Sequence, residues 1–210
     1  MEYQLKPPFV LLVNGEFPTD PVPLKILHSA KTIICTDGSA DSLIHAGMNP
    51  QVIIGDLDSL KISKKSFEGI LIHNPNQNST DFEKTLEWII ENEIDDLNIL
   101  GATGLREDHS FANLFIMAEY ISKLNLRMVT NYFTVTCHIG NREFDSEAGQ
   151  TVSIFVVKSD TMVTTHNLKY TLKKTVLDPS CRAISNESHK STFSVESDKP
   201  VLVFRSHNKL

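Results

Sequence analysis

Over the first 130 positions, apolar residues come in short runs: "PFVLLVN" from Pro8, "TIICT" from Thr32, "QVIIG" from Gln51 and "ILIHN" from Ile70 are continuous at their centres, while "LNIL" from Leu97 and "LRMVT" from Leu126 each carry one polar residue within. Runs of this length with so little polar interruption suit strands buried on both faces. The stretches between them carry a different period. "ADSLIHAG" reads as a short helix closed by Gly47, and "TDFEKTLEWIIENE" sets Leu86, Ile89 and Ile90 on one helical face. "DHSFANLFIMAEYISKL" extends as a long amphipathic helix. Strands alternating with helices predict a parallel sheet covered on both faces.

From about Tyr132 the period becomes two. "FTVTCHIG", "TVSIFVV", "MVTTHNLKYTL", "STFSVES" and "VLVFRS" alternate apolar with polar positions, with turns expected at Gly140-Asn141, Ser159-Asp160 and Asp178-Pro179. The expected fold class is therefore α/β, with an N-terminal parallel-sheet domain over residues 1–130. An antiparallel β-sandwich or barrel domain follows over 131–210.

Composition adds limits. No apolar run is long enough to span a membrane as a helix, and the start "MEYQLKPPFVLLVNGEF" lacks the basic segment and cleavage site of a secretory signal. Cys35, Cys137 and Cys181 are far apart in the chain, which indicates neither a disulfide framework nor a zinc site and suits a cytoplasmic protein. The formal charge of -6 is uneven: residues 1–130 hold 10 Lys/Arg against 18 Asp/Glu, the remainder 10 against 8. An acidic first domain excludes a nucleic-acid surface, which needs a basic stripe. It favours a site that concentrates carboxylates on a cation.

Four polar clusters fall at strand ends, where open parallel sheets bind ligands: "CTDGSAD", "GDLDS", "NQNSTDFE" and "GATGLREDH". In "GDLDS", Gly55 lets the chain turn off the strand, and Asp56 and Asp58 face one point if the segment stays extended. Their oxygens suit Mg²⁺, although Asp58 or Ser59 also fits a cap before Leu60-Lys61-Ile62. Thr80 and Glu83 fit a capping box, while Asp81 suits either the helix dipole or a metal. Gly101 and Gly104 make a loop able to approach phosphates, and Arg106 is a fixed planar charge matched to them. Asp108 suits an N-cap, and Asn113 shares a helical face with His109. Lys64-Lys65 reads as solvated surface. Neither a Walker A lysine motif nor G-x-G-x-x-G is present. The inventory points to Mg²⁺-nucleotide chemistry without naming the acceptor.

In order, "NGE" (14–16), "TDGSAD" (36–41), "GDLDS" (55–59), "STDFEK" (79–84) and "GATGLREDHSFAN" (101–113) resemble thiamine pyrophosphokinases. "TTHNLKYTL" (164–172), "ISN" (184–186) and "VESDKPVLVF" (195–204) are similar to that family's thiamine-binding domain. The resemblance implies transfer of pyrophosphate from ATP to the thiamine hydroxyl, giving thiamine diphosphate and AMP with Mg²⁺, in a homodimer whose subunits share the site. It further implies that Asp56, Asp58 and Asp81 hold Mg²⁺ and serve catalysis. Asp37, Gln77, Thr80, Gly101, Gly104, Arg106 and Asp108 would contact ATP, and Tyr170, Ser185 and Asn186 would line the thiamine pocket. Tyr170 stands where many relatives carry tryptophan. Two rivals remain: a metal-dependent nucleotide-sugar transferase, and a non-catalytic thiamine or nucleotide sensor.

Overall fold

The computed structural model describes residues 5–61 and 67–208; Ile62 and the Lys64-Lys65 pair lie outside them. The chain divides into two units, one holding the residues up to Ile116 together with Ser122–Asn131, the other Met117–Ile121 and the residues from Tyr132 onward.

The first unit runs β1 (Phe9–Leu12), α1 (Pro21–Ser29), β2 (Thr32–Thr36), α2 (Asp37–His45), β3 (Val52–Gly55), β4 (Ile70–His73), α3 (Asp81–Glu91), β5 (Asp96–Leu100), the start of α4 (Glu107–Glu119) and β6 (Asn125–Val129). All its strands pair in parallel, in the order β4-β3-β2-β1-β5-β6. Every residue of β2 and β3 is buried, as the unbroken apolar runs require. Leu27 of α1 and Leu43 of α2 join Val10, Leu12, Ile53 and Leu100 in one core cluster.

Local chemistry places the helices. Asp20 caps α1 by accepting the Val22 N–H at 3.0 Å, with Pro21 as the first helical residue. The expected alternation had no helix there, because α1 is short and Asp-Pro also reads as a turn. At α3 both halves of the capping box form: Glu83 N–H to Thr80 Oγ1 at 3.2 Å, and Thr80 N–H to Glu83 Oε2 at 2.9 Å. On α3, Leu86 and Ile89 are buried, whereas Ile90 is only partly so. Helix α4 is shorter than its pattern suggests and tightens into a 3₁₀ turn at Tyr120–Ser122.

The second unit contains β7 (Phe133–Asp145), β8 (Thr151–Val156), β9 (Thr161–His166), β10 (Thr175–Leu177), β11 (Asn186–Glu187) and β12 (Thr192–Ser206). All its pairings are antiparallel. Two expected boundaries are corrected. Gly140-Asn141 is not a turn: β7 continues through it, pairing Gly140 with Ser197 and Asn141 with Glu196. The segments "STFSVES" and "VLVFRS" are one strand, β12, whose register against β7 shifts between Ser197 and Val201. Before that bulge β12 pairs with β9, and after it with β8. A bulge re-aims a strand in this way, so one strand serves two sets of neighbours. Its apolar side chains, Phe193, Val195, Val201 and Val203, join Phe144, Val152 and Ile154 in the unit's core.

Candidate active site

The chain enters the parallel sheet at β1, builds outward through β2, β3 and β4, then returns to the other side of β1 with β5. This reversal between β1 and β5 is where open α/β sheets bind ligands. A cleft of about 190 Å³ lies there, lined among others by Asn14, Asp37, Thr80, Asp81, Arg106 and His109. Its rim is drawn together by backbone bonds between the loops after β1 and β5: Val13 N–H to Leu100 O at 2.8 Å, Gly15 N–H to Gly101 O at 2.7 Å and Glu16 N–H to Thr103 O at 2.8 Å. Gly101 has φ +64°, and a Cβ there would lie 2.5 Å from Val13 O. Its lack of a side chain is needed for this closure. The Gly104 N–H is already spent on Ser110 Oγ at 3.0 Å.

Asp37, the first residue of α2, is 4% exposed. Its Oδ1 accepts the Gly38 N–H at 2.5 Å, while Oδ2 is buried with no hydrogen-bond partner among the described residues. Burial pushes its carboxyl above the ordinary range, and the charge of Asp81 adds to that; the Gly38 and Ser59 N–H groups act against it, and Asp56 raises it further. Gly55 has a second task beyond turning the chain. A Cβ at Gly55 would lie 2.9 Å from Asp37 Cγ, so the strand end must be bare for the carboxylate to fit.

The segment after β3 is not extended. Leu57 takes φ +64° with its side chain buried, and the Asp58 N–H donates to Asp56 Oδ1 at 3.1 Å. This tight aspartate turn replaces the extended segment expected between the two carboxylates. The Asp58 N–H holds the Asp56 carboxyl below its usual range, helped by the Gln77 amide, whose Nε2 stands 3.4 Å from Asp56 Oδ2. Asp58 itself is exposed and does not line the cleft.

At the start of α3, Asp81 accepts Lys84 Nζ at 2.9 Å; the lysine side chain is 3% exposed and that of Asp81 30%. Lys84 is the site residue the sequence reading missed. Its signal was a lysine three residues after an acid on an otherwise apolar helix face. Past β5, Arg106 and Asp108 form a bidentate, solvent-exposed pair, Nε to Oδ1 at 3.1 Å and Nη2 to Oδ2 at 2.5 Å. That pairing draws the Asp108 carboxyl down to about 2. Asp108 lies in the first turn of α4 rather than capping it. His109 and Asn113 both reach the cleft, with Asn113 anchored through Nδ2 to Ala102 O at 2.8 Å.

In the second unit, the buried Asn186 amide is bound to the backbone of Tyr170: Tyr170 N–H to Oδ1 at 3.0 Å and Nδ2 to Tyr170 O at 2.8 Å. Oδ1 also accepts the Glu187 N–H at 2.9 Å. The Tyr170 side chain is left largely in solvent, with Lys169 Nζ 5.9 Å from its ring centre. Ser185 has φ +55° and donates its N–H to Ser153 Oγ at 3.0 Å.

Comparison with known proteins supplies the acceptor. Residues 24–130 match the catalytic domain of thiamin pyrophosphokinase, and residues 138–202 match its vitamin B1 binding domain. The chain belongs to the thiamin pyrophosphokinase family. It is 23% identical over 166 residues to thiamin pyrophosphokinase 1 of Caenorhabditis elegans, covering 72% of this chain and 68% of that protein. Among solved structures, thiamin pyrophosphokinase from Candida albicans aligns with a TM-score of 0.82 at 17% identity, over 95% of this chain and 89% of that one. The Bacillus subtilis protein aligns at 0.79 and 21% identity, over 94% and 98%. As a member of that family, the chain transfers a pyrophosphoryl group from ATP to thiamine, yielding thiamine diphosphate. Among the described residues, no helix is long and apolar enough to cross a membrane.

Proposed function

We propose that the cleft at the sheet reversal holds the ATP phosphates with Mg²⁺, and that Asp37, Asp56 and Asp81 face the cation. The observation that carries this reading is the buried, unpartnered Oδ2 of Asp37 beside the charges of Asp81 and Asp56. Like charges gathered at a buried oxygen call for a proton or a cation. The donor set fits Mg²⁺, which takes oxygen ligands, uses one or two carboxylates and completes its shell with water and phosphate oxygens. Among the described residues no three acidic, histidine or cysteine groups are gathered closely enough to hold a metal ion by themselves, and Mg²⁺ that arrives on phosphates needs only one or two carboxylates. When bound, the ion neutralises charge on the phosphates.

Around it, Lys84 holds Asp81 in place, and Arg106 exchanges Asp108 for a phosphate oxygen. Gln77 fixes Asp56, and Thr80 with the Gly101–Gly104 loop shapes the phosphate wall. Asp58, free of the cleft wall, accepts the proton of the thiamine hydroxyl as that oxygen attacks the β-phosphorus in line. The bond from the β-phosphorus to the oxygen that bridges it to the α-phosphorus breaks, and AMP leaves with that oxygen. Tyr170 stacks on the cationic thiamine, Asn186 sets the Tyr170 backbone, and Ser185 borders the ring. The active form is a homodimer. The exposed apolar pair Met162 and Val176 on β9 and β10 supports that. Three free cysteines fit a cytoplasmic location.

The test incubates the purified chain with ATP and thiamine and resolves AMP and thiamine diphosphate by chromatography. Equal amounts of both, abolished by EDTA and restored by Mg²⁺, are expected. Undiminished turnover in EDTA refutes the cation; ADP in place of AMP refutes the bond cleaved.

A further inference from the structure

In the second unit, three basic side chains converge on one aromatic ring. Gly140, at φ +82°, lies in β7 between His138 and Arg142. Arg142 Cζ lies 5.3 Å from the centre of the Phe144 ring and Arg205 Cζ of β12 lies 5.4 Å from it. The His138 ring is 5.4 Å from the same centre. Buried Phe193 stacks on Phe144 at 5.2 Å, which makes the platform rigid.

The charges here are not answered from within. His138 is 5% exposed, and neither ring nitrogen has a hydrogen-bond partner among the described residues. The Nε of Arg205 is also buried without one, and its Nη1 donates only to the backbone oxygen of Asp145 at 3.0 Å. No described carboxylate lies within ion-pair distance of Arg142 or Arg205. Asp145 influences Arg205 from further away, and Arg142 repels both Arg205 and a protonated His138. Buried donors without acceptors are costly, and two guanidinium groups that both lie against one ring repel unless an anion joins them.

We propose that His138, Arg142 and Arg205, none of which lines the catalytic cleft, form a binding site for a phosphate or pyrophosphate oxyanion. Two guanidinium forks match tetrahedral phosphate oxygens, and an imidazole N–H supplies a further donor. A phosphate near −2 balances the two arginines, whereas one carboxylate has half the charge and too few oxygens for the donors present.

The test uses the full-length protein carrying ¹³C-labelled histidine, with the His138 ring resonance assigned through His138→Gln. Inorganic phosphate, and separately pyrophosphate, is titrated in a phosphate-free, low-chloride buffer. A saturable displacement of the His138 resonance is expected, and whichever anion saturates it at lower concentration is the ligand. Arg142→Gln weakens that binding about tenfold or more while leaving pyrophosphoryl transfer unchanged, and Arg142→Lys recovers part of it. Arg205→Gln, checked for folding by its thermal melt, gives the same loss. A resonance that neither anion moves, or that moves equally in Arg142→Gln, overturns the site. So does one that moves with protein concentration alone, since a carboxylate of a second copy would then be the partner.

Discussion

Lys84 reaches Asp81 across 2.9 Å from a side chain only 3% exposed, so the first carboxylate of α3 is tethered by a lysine one turn further along the same helix. A desolvated ammonium has little freedom, and its partner inherits that order. Lys84→Met preserves the apolar stem and removes the tether. Turnover is expected to fall about 100-fold, the usual consequence of displacing a reacting group by about 1 Å. The thermal melt should change little, because Asp81 is partly solvated and water screens the loss. Wild-type turnover in this variant would show that Asp81 needs no such hold.

Gly55→Ala tests the packing of Asp37. The added methyl meets Asp37 Cγ at 2.9 Å, and overpacking of this kind costs about 1–3 kcal/mol. Expected are a lower unfolding midpoint and a raised KM for ATP, read from denaturant melts and initial rates. An unchanged KM for ATP would detach Asp37 from the nucleotide.

Asn186→Ala removes both hydrogen bonds that bind the Tyr170 backbone. The KM for thiamine should rise clearly more than that for ATP, and Tyr170→Ala should show the same selectivity. Equal increases for both substrates in either variant would place Tyr170 outside the thiamine site.

Leu105 adopts φ +61° with its side chain 77% exposed. A left-handed β-carbon costs ~1–2 kcal/mol, and glycine avoids it while losing some of the gain to chain entropy. Leu105→Gly is therefore expected to stabilise the protein by about 0.5–1 kcal/mol in urea melts. A destabilised variant would mean that the leucine side chain makes a contact worth more than the strain.

Burial holds the His138 imidazole down to about 4, with the Arg142 charge acting the same way. In the unfolded chain it titrates near the ordinary ~6.5. Between those values the unfolded state binds the extra proton, so stability rises with pH there. His138 accordingly favours folding above pH ~6.5 and loses that contribution as the pH drops toward 4. His138→Phe in phosphate-free buffer should flatten this acid limb of the stability curve, and an unaltered limb would assign it to carboxylates.

Much of the first unit was legible because its signals are short-range. Six short apolar runs became six parallel strands, and the Thr80–Glu83 box formed as its spacing requires. Gly140-Asn141 misled because the dipeptide favours turns locally, whereas here β12 supplies backbone partners on both sides of it. Between Asp56 and Asp58 the extended segment that the spacing allows gives way to a turn. An i, i+2 spacing aligns side chains only in extended chain, and burial of Leu57 at a left-handed φ overrides that.

The amino-acid order was enough to establish two units, the strand-end location of the acidic clusters and the family. Periodicity, capping and ordered motifs are properties of neighbouring residues. Other features depended on residues distant in the chain. The reversal between β1 and β5 created the cleft, Gly55 made room for Asp37, and Asn186 was committed to Tyr170 rather than left open. The pairing of β7 with the long run of β12 gathered His138, Arg142 and Arg205 around Phe144. Each of these follows from which strands pair and how closely their backbones approach, and long-range burial and hydrogen bonding choose among pairings that the local pattern leaves equal.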